Sequence, residues 1–309
     1  MKEFEHIPVL LEECIEGLNI KKNGIYVDGT LGGAGHSLQI AKKLENTGKL
    51  IGIDRDEVAI QKAKDTLREF NNVIYVQDNH DNIKEILNKL NIEKVDGILL
   101  DLGVSSYQID EETRGFSYIK TTPLDMRMDK TQELTAEIVI NTYPEEKLSE
   151  IIYKYGEEKF SRQIAKKICE YRKNKKIETT TELVEIIEKC VPHQKQGHPA
   201  KRTFQAIRIE VNNEIEPLYN TVMNSIDCLN TEGRLCIITF HSLEDRAVKQ
   251  AYADCLGKCT CPPDLPYCVC GKKAKGKIIT KKPILPTEEE MNKNSRSKSA
   301  KLRIFEKTN

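Results

Sequence analysis

The residues Tyr26-Val-Asp-Gly-Thr-Leu-Gly-Gly-Ala-Gly-His36 form an apolar run that ends in Asp28 and opens into a turn holding Gly29, Gly32, Gly33 and Gly35. A second apolar run, Leu50-Ile-Gly-Ile-Asp54, ends in another acid 19 residues past Gly35. Glycines let a backbone approach a ligand closely, and an acid at the end of the second strand accepts hydrogen bonds from ribose hydroxyls. This is the layout of a nucleotide-cofactor site. A dinucleotide fingerprint would space its glycines as G-x-G-x-x-G, whereas here the glycines are spaced differently and follow an acid. A carboxylate beside a helix amino terminus would repel a pyrophosphate but favour a ligand bearing an ammonium and a sulfonium. The pattern therefore points to S-adenosyl-L-methionine. A nicotinamide-linked oxidoreductase and a non-enzymatic RNA-binding module remain the alternatives. Nicotinamide binding would mark the first, and RNA affinity without methyl transfer the second.

A third acid closes the apolar run Gly97-Ile-Leu-Leu-Asp101, followed by Leu-Gly-Val-Ser-Ser106. In sheets of this kind the loop after the fourth strand faces the reacting group, so Asp101 is the candidate for direct contact with the chemistry. An exocyclic amine has its lone pair delocalised into the base, and a polar acceptor holding its N–H groups helps localise that pair for attack. The alternative is that Asp101 caps a turn or touches only the cofactor. His241, followed by Ser-Leu-Glu-Asp245, reads as a helix-start group rather than a general base.

The elements that must position these acids follow from periodicity. Short apolar runs at Ile25–Asp28, Leu50–Asp54, Val73–Gln77 and Val95–Asp101 alternate with helical patterns at Ser37–Leu44, Glu57–Phe70 and Ile83–Leu90, which predicts βαβ units and a parallel sheet. From about Tyr107 to Leu218 the strand signal fades. Helical patterns replace it at Thr135–Asn141, Glu145–Tyr155, Lys159–Tyr171, Thr181–Cys190 and Thr203–Leu229. The sheet resumes at Gly233–Phe240, with a helix over Leu243–Cys255 and two final strands at Lys277–Lys281 and Ala300–Glu306 as an antiparallel edge. Asn292–Ser299 reads as a mobile loop. The expected class is α/β, with a Rossmann-like sheet in two parts, 1–106 and 219–309, around an all-helical insertion, 107–218.

Length, at 309 residues, allows one large domain or two smaller ones. Lys plus Arg and Asp plus Glu balance at 48 each, so the global charge selects no partner. The distribution is uneven. From Lys272 to Asn309 twelve Lys or Arg face four Glu, and a second basic cluster runs from Arg162 to Lys176. Such clusters suit polyanions, a solvated surface being the plainer reading. No apolar stretch approaches the ~20 residues that span a membrane, and no signal-peptide pattern opens the chain, so a cytoplasmic location is expected. Ten cysteines are then no disulfide framework. Within the Cys-rich loop 255–270, Cys259, Cys261, Cys268 and Cys270 form two Cys-x-Cys pairs. Zinc sites usually separate paired ligands by two to four residues, so free thiols are the alternative to a structural metal, and no metal is assigned.

The segments His6-Ile-Pro-Val-Leu-Leu, Asp28 to His36, Ile53-Asp-Arg-Asp56, Leu99-Leu-Asp-Leu-Gly-Val-Ser-Ser106, Arg114-Gly-Phe-Ser, Pro123-Leu-Asp-Met-Arg-Met-Asp129, Tyr155-Gly-Glu-Glu-Lys-Phe160, His198-Pro-Ala-Lys-Arg-Thr-Phe-Gln-Ala-Ile-Arg208, Phe240-His-Ser-Leu-Glu-Asp-Arg246 and Ser299-Ala-Lys-Leu-Arg303 occur in this order. From end to end they resemble the ribosomal RNA small-subunit methyltransferase H family, known also as MraW. The resemblance implies a class I methyltransferase sheet. It also implies methyl transfer from S-adenosyl-L-methionine to the N4 amine of a cytidine in the decoding region of small-subunit (16S) ribosomal RNA, within the 30S subunit. No membrane and no obligate protein partner are implied. Carried over residue by residue, the cofactor site comprises Gly33, Ala34, Gly35, His36, Asp54, His80, Asp101 and Gln108. Ala34 stands where a glycine is common, and His80 where an aromatic such as Phe is frequent. The amino-methyltransferase pattern of a polar residue, two prolines and an aromatic is absent at Asp101-Leu-Gly-Val, leaving Tyr107 and Phe116 as the nearest aromatics. Lys201, Arg202 and Arg208 are the candidates for RNA phosphates, with pairing to Glu210 and Glu214 as the competing role.

Overall fold

A computed structural model describes residues 8–45, 47–105, 108–109, 111, 113–192, 197–258, 261–262, 267 and 270–309. The chain divides into two compact units, Met1–Gly103 with Ile215–Asn309, and Val104–Glu214.

The first unit is built on a seven-stranded sheet. Its elements are α1 (Leu11–Leu18), β1 (Ile25–Asp28), α2 (Gly35–Lys43), β2 (Lys49–Asp54), α3 (Glu57–Thr66), β3 (Val73–Gln77), α4 (Ile83–Lys89) and β4 (Val95–Asp101). The order β3-β2-β1-β4-β5-β7-β6 is parallel from β3 through β5. Strands β1, β2 and β4 are continuous apolar runs because both faces are covered. Val27, Ile51, Ile98 and Leu100 belong to the cluster containing Ile83, Ile86 and Leu87 of α4. Tyr26, Leu50 and Leu99 belong to the opposite cluster, with Cys14 and Leu18 of α1 and Ile40 of α2. Helix α1 was not among the expected elements, although Leu11, Cys14, Ile15 and Leu18 stand at helical spacing. It starts after Leu10 at φ 52° without a side-chain cap, so the usual marker of a helix start is missing.

The second unit is helical, with α5 (Ala136–Thr142), α6 (Glu145–Gly156), α7 (Ser161–Arg172), α8 (Thr180–Glu188) and α9 (Lys201–Asn212). Thr179 starts α8 with a capping box, its hydroxyl accepting from the Glu182 N–H. Helices α6 and α9 pack closely at Gly156, where a Cβ would lie 2.6 Å from the Arg202 carbonyl oxygen.

The continuous helix expected over Thr203–Leu229 is two. Helix α9 stops at Asn213, in the left-handed region at φ 49°, and α10 (Leu218–Asp227) starts after Pro217. The remaining elements of the first unit are β5 (Leu229–Thr239), α11 (Ser242–Asp254), β6 (Gly276–Ile278), α12 (Glu288–Lys293) and β7 (Lys301–Lys307). Strand β7 is antiparallel to both β5 and β6, so of the two expected edge strands β7 lies inside the sheet and β6 is the edge, with β3 at the opposite edge. The expected loop Asn292–Ser299 instead holds the end of α12 and a 3₁₀ turn over Ser295–Ser299. Asn294 caps that turn, and Ser297 is buried.

Candidate active site

The strand order reverses between β1 and β4, which places a crevice at the carboxyl ends of these two strands. Asp28, Asp54 and Asp101 end β1, β2 and β4 at this edge of the sheet. The turn after β1 is stitched to both neighbours. Gly29 N–H donates to the Leu99 carbonyl at 2.9 Å, and Leu31 N–H to the Ile53 carbonyl at 3.0 Å. Thr30 Oγ1 accepts from Asp101 N–H at 2.6 Å, and Asp54 Oδ2 accepts from Gly32 N–H at 2.9 Å. Ala34 then enters the left-handed region at φ 62° to launch α2. This conformation costs an L-residue about 1–2 kcal/mol, a cost that glycine at this position would avoid. A side chain on Gly35 would run into the Pro8 ring.

Each acid has a different environment. Asp28 is buried, with Oδ2 accepting from Ser37 Oγ at 2.7 Å and Oδ1 from Thr30 N–H at 3.2 Å. Burial pushes its carboxyl up to about 6 even though these two donors favour the charge. Asp28 therefore organises the loop and contributes field. Burial also raises the Asp54 carboxyl, whose other oxygen accepts from Asp56 N–H at 2.9 Å. Its remaining lone pairs leave capacity for ligand hydroxyls. Asp101 is pushed furthest, up to about 8, by burial and then by the charges of Asp28 and Glu244. Its Oδ1 is buried and has no hydrogen-bond partner among the described residues. A cation is the complement of such an arrangement, because positive charge beside them would bring these carboxyls back towards their ordinary range.

His36 is buried beside Asp101, its Nδ1 4.0 Å from Oδ2. His80 lies in a 3₁₀ turn over His80–Asn82, and burial lowers its imidazole to about 4, with Asp81 opposing and Arg55 assisting. It is neutral at physiological pH, a flat and uncharged ring. Gly33 sits within the β1–α2 turn. Gln108 belongs to the second unit and is buried, its Oε1 accepting from Ser105 N–H at 3.1 Å and its N–H donating to Ser105 Oγ at 3.2 Å.

On α9, Lys201 and Arg202 are exposed. Arg202 donates through Nη1 to the Glu157 carbonyl at 3.1 Å. Arg208 is different. It forms a bidentate pair with the buried Glu214 at 2.9 and 2.8 Å, the competing role allowed by the sequence. Ile209, seven residues beyond Arg202 along the same side of α9, is buried, so the solvent face does not continue along that side. Phe116 has the Arg114 guanidinium 6.0 Å from its ring, and Tyr107 lies outside the described residues.

His241 caps α11, its Nδ1 accepting from Glu244 N–H at 3.5 Å, while Glu244 Oε2 accepts from Phe240 N–H at 2.7 Å. Glu244 and Thr30 were missed from sequence. The first carried a legible signal, an acid three residues after a helix-start residue. The second carried none. Cys259 and Cys268 lie outside the described residues, and Cys261 and Cys270 are half-buried. Among the described residues, no three His, Cys, Asp or Glu side chains are grouped to hold a metal, and no helix is long and apolar enough to cross a membrane.

The sequence profile of the MraW methylase family matches residues 3–308. A ribosomal RNA small subunit methyltransferase H of Clostridium botulinum (strain Kyoto / Type A2) is 60% identical over 307 residues, covering 99% of each chain. The protein of the same name from Lachnospira eligens is 59% identical over 309 residues, with 99% of this chain and 98% of its own covered. That of Finegoldia magna is 55% identical over 310 residues, with 99% of each chain covered.

Proposed function

This chain belongs to the MraW methylase family, and from that premise we propose that it transfers a methyl group from S-adenosyl-L-methionine to the N4 amine of a cytidine in the decoding region of small-subunit ribosomal RNA. The observation that carries the reading is the Asp101 carboxyl at the β1–β4 switch point, raised by burial and holding a buried oxygen with no partner among the described residues. The donor set fits this cofactor: a carboxylate cluster for its cationic groups, Asp54 for its ribose and a neutral His80 ring for its adenine. When bound, the cofactor supplies an electrophilic methyl group.

The chain's own residues do the rest. Asp54, anchored by the Gly32 and Asp56 amides, is held in one rotamer and presents its free lone pairs to the ribose hydroxyls. Thr30 fixes the backbone of Asp101, so the carboxylate is aimed before any substrate arrives. Asp101 accepts an N–H of the cytosine amine, which localises the nitrogen lone pair for attack. It then takes the proton that the amine loses once the new N–C bond has formed. Gly33, Ala34, Gly35 and His36 complete the part of the cofactor site that the first unit holds. Lys201 and Arg202 contact RNA phosphates, whereas Arg208 holds Glu214 in place. The substrate is the RNA of the small subunit in the cytoplasm, and no protein partner is required.

The experiment is incubation with labelled S-adenosyl-L-methionine and unmodified small ribosomal subunits, followed by nucleoside analysis. Label in N4-methylcytidine at one site is the expected result. Label in another nucleoside, or none from protein that binds the cofactor, overturns the acceptor.

A further inference from the structure

The amino ends of the parallel strands carry a second charged feature. Four lysines converge on the carboxyl end of α10. Lys275 Nζ lies 2.7 Å from Asp227 Oδ1 and Lys84 Nζ 3.4 Å from Asp227 Oδ2. Lys94 and Lys307 both donate to the same oxygen, the Asp227 carbonyl, at 2.6 and 3.0 Å, and Lys307 also donates to the Leu229 carbonyl at 2.8 Å. Cations do stabilise a helix carboxyl end, but the α10 dipole offers only about −0.5 charge there. With the Asp227 carboxylate the local negative charge is roughly −1.5 against four ammoniums. The excess is felt within the cluster: Lys307 is pushed down by its burial and by the charges of Lys94 and Lys275. Asp227 is held below the usual carboxylate range by Lys275 and Lys84, although burial opposes this. Lys84 and Lys275 are about 40% exposed, so N–H donors of both reach solvent.

We propose that Lys84, Lys94, Lys275 and Lys307 form an exosite for the phosphodiester backbone of the RNA substrate. The proposal rests on the reading of this chain as a ribosomal RNA methyltransferase, which supplies the polyanion. The exosite lies at the edge opposite the chemistry. Lys94 precedes β4 and Asp101 ends it, and the seven residues between Val95 and Asp101 inclusive span about 20 Å. A substrate contacting both edges must therefore be extensive and folded, as a ribosomal subunit is, and a short stem-loop reaches only one of them.

The double variant Lys84→Gln/Lys275→Gln tests this, with binding of small ribosomal subunits measured across salt concentrations. The expected result is several-fold weaker binding and a salt slope shallower by about 1–2 phosphates' worth, with affinity for S-adenosyl-L-methionine unchanged. Binding of a short stem-loop carrying the target cytidine should not change, and Lys84→Arg/Lys275→Arg should restore the subunit affinity. Asp227→Asn serves as a second variant with the opposite sign: it leaves the amines less neutralised and should steepen the salt slope. If the lysines only cap α10, Lys84→Gln/Lys275→Gln and Asp227→Asn lose thermal stability while binding and slope stay at the wild-type values, and the exosite is overturned. Failure of the parent reading looks different: the wild-type protein would transfer no methyl group to any RNA, whatever the salt slopes show.

Discussion

His36 turns its Nδ1 towards Asp101 and its Nε2 towards the backbone of Val9. Nε2 lies 3.0 Å from the Val9 carbonyl oxygen, which only accepts, so in the neutral ring the hydrogen resides on Nε2. Nδ1 lies 4.0 Å from Asp101 Oδ2. In that neutral form the ring brings no positive charge to a carboxyl already raised by burial and by Asp28 and Glu244, and the counter-charge has to arrive with the ligand.

Replacing Asp101 by Asn keeps the shape and removes the acceptor for the amine proton. Methyl transfer to small subunits should fall by about 10²-fold or more, the range for loss of a positioned acid–base group. Single-turnover rates with both substrates saturating check this. A variant retaining a third or more of the wild-type rate would mean that Asp101 does not take the proton.

The same substitution should stabilise the protein in mild alkali. Asp28 and Asp101 have native values of about 6 and about 8, both above the ordinary 3.8, so between these limits the native state holds protons that the unfolded state releases. Stability from these groups is therefore complete at low pH and is lost as pH rises from about 4 to about 8. Asp101→Asn removes the larger contribution. At pH 8 it should be more stable than wild type by at least about 1 kcal/mol, roughly 2–4 °C in Tm, with the gap closing near pH 4. Thermal melts at the two pH values decide it, and a gap that does not depend on pH refutes the assignment.

Cofactor binding should carry the complementary signature. A ligand with positive charge favours the ionised form of Asp101, so complex formation below pH 8 expels a proton. Affinity for S-adenosyl-L-methionine is expected to rise between pH 6 and 7.5, by up to tenfold per unit for one coupled proton. Calorimetry in two buffers of different ionisation enthalpy measures the release directly. Binding without proton release in this range contradicts the raised value.

The strand-ending acids were legible because both βαβ periodicity and strand termination are local. Asp28, Asp54 and Asp101 close their strands as the apolar runs implied. What escaped was set by tertiary packing. Leu10 in the left-handed region starts a helix that carries no side-chain cap, a conformation its residue type does not announce. Asn213 divides another helix, and there Asn followed by Pro217 was a legible helix-end signal. The acids' character was also hidden. That Asp28 is closed off by Ser37 while an Asp101 oxygen has no partner among the described residues is a property of the assembled sheet edge. Residues 292–299 read as a loop by composition, yet the capping oxygens of Thr287 and Asn294 sufficed to order two short turns.

Arg202 and Arg208 are six residues apart on α9 and should fail in different ways. Arg208 and Glu214 are both largely buried, and removing one partner of such a pair strands the other's charge, a loss of about 3–5 kcal/mol. Arg208→Ala should therefore lower the Tm, and Arg208→Lys should recover only part because a point charge cannot reproduce the two-pronged contact. At a temperature where the variant remains folded, its KM for small subunits should match the wild type. Arg202 is exposed and makes one hydrogen bond to a backbone carbonyl. Arg202→Glu should leave the folding stability within about 1 kcal/mol of wild type while raising the KM for RNA several-fold, more so at low salt, where phosphate repulsion is least screened. The separation of the two readouts is the informative outcome. If Arg202→Glu methylates subunits with an unchanged KM at low salt, this end of α9 does not face the RNA.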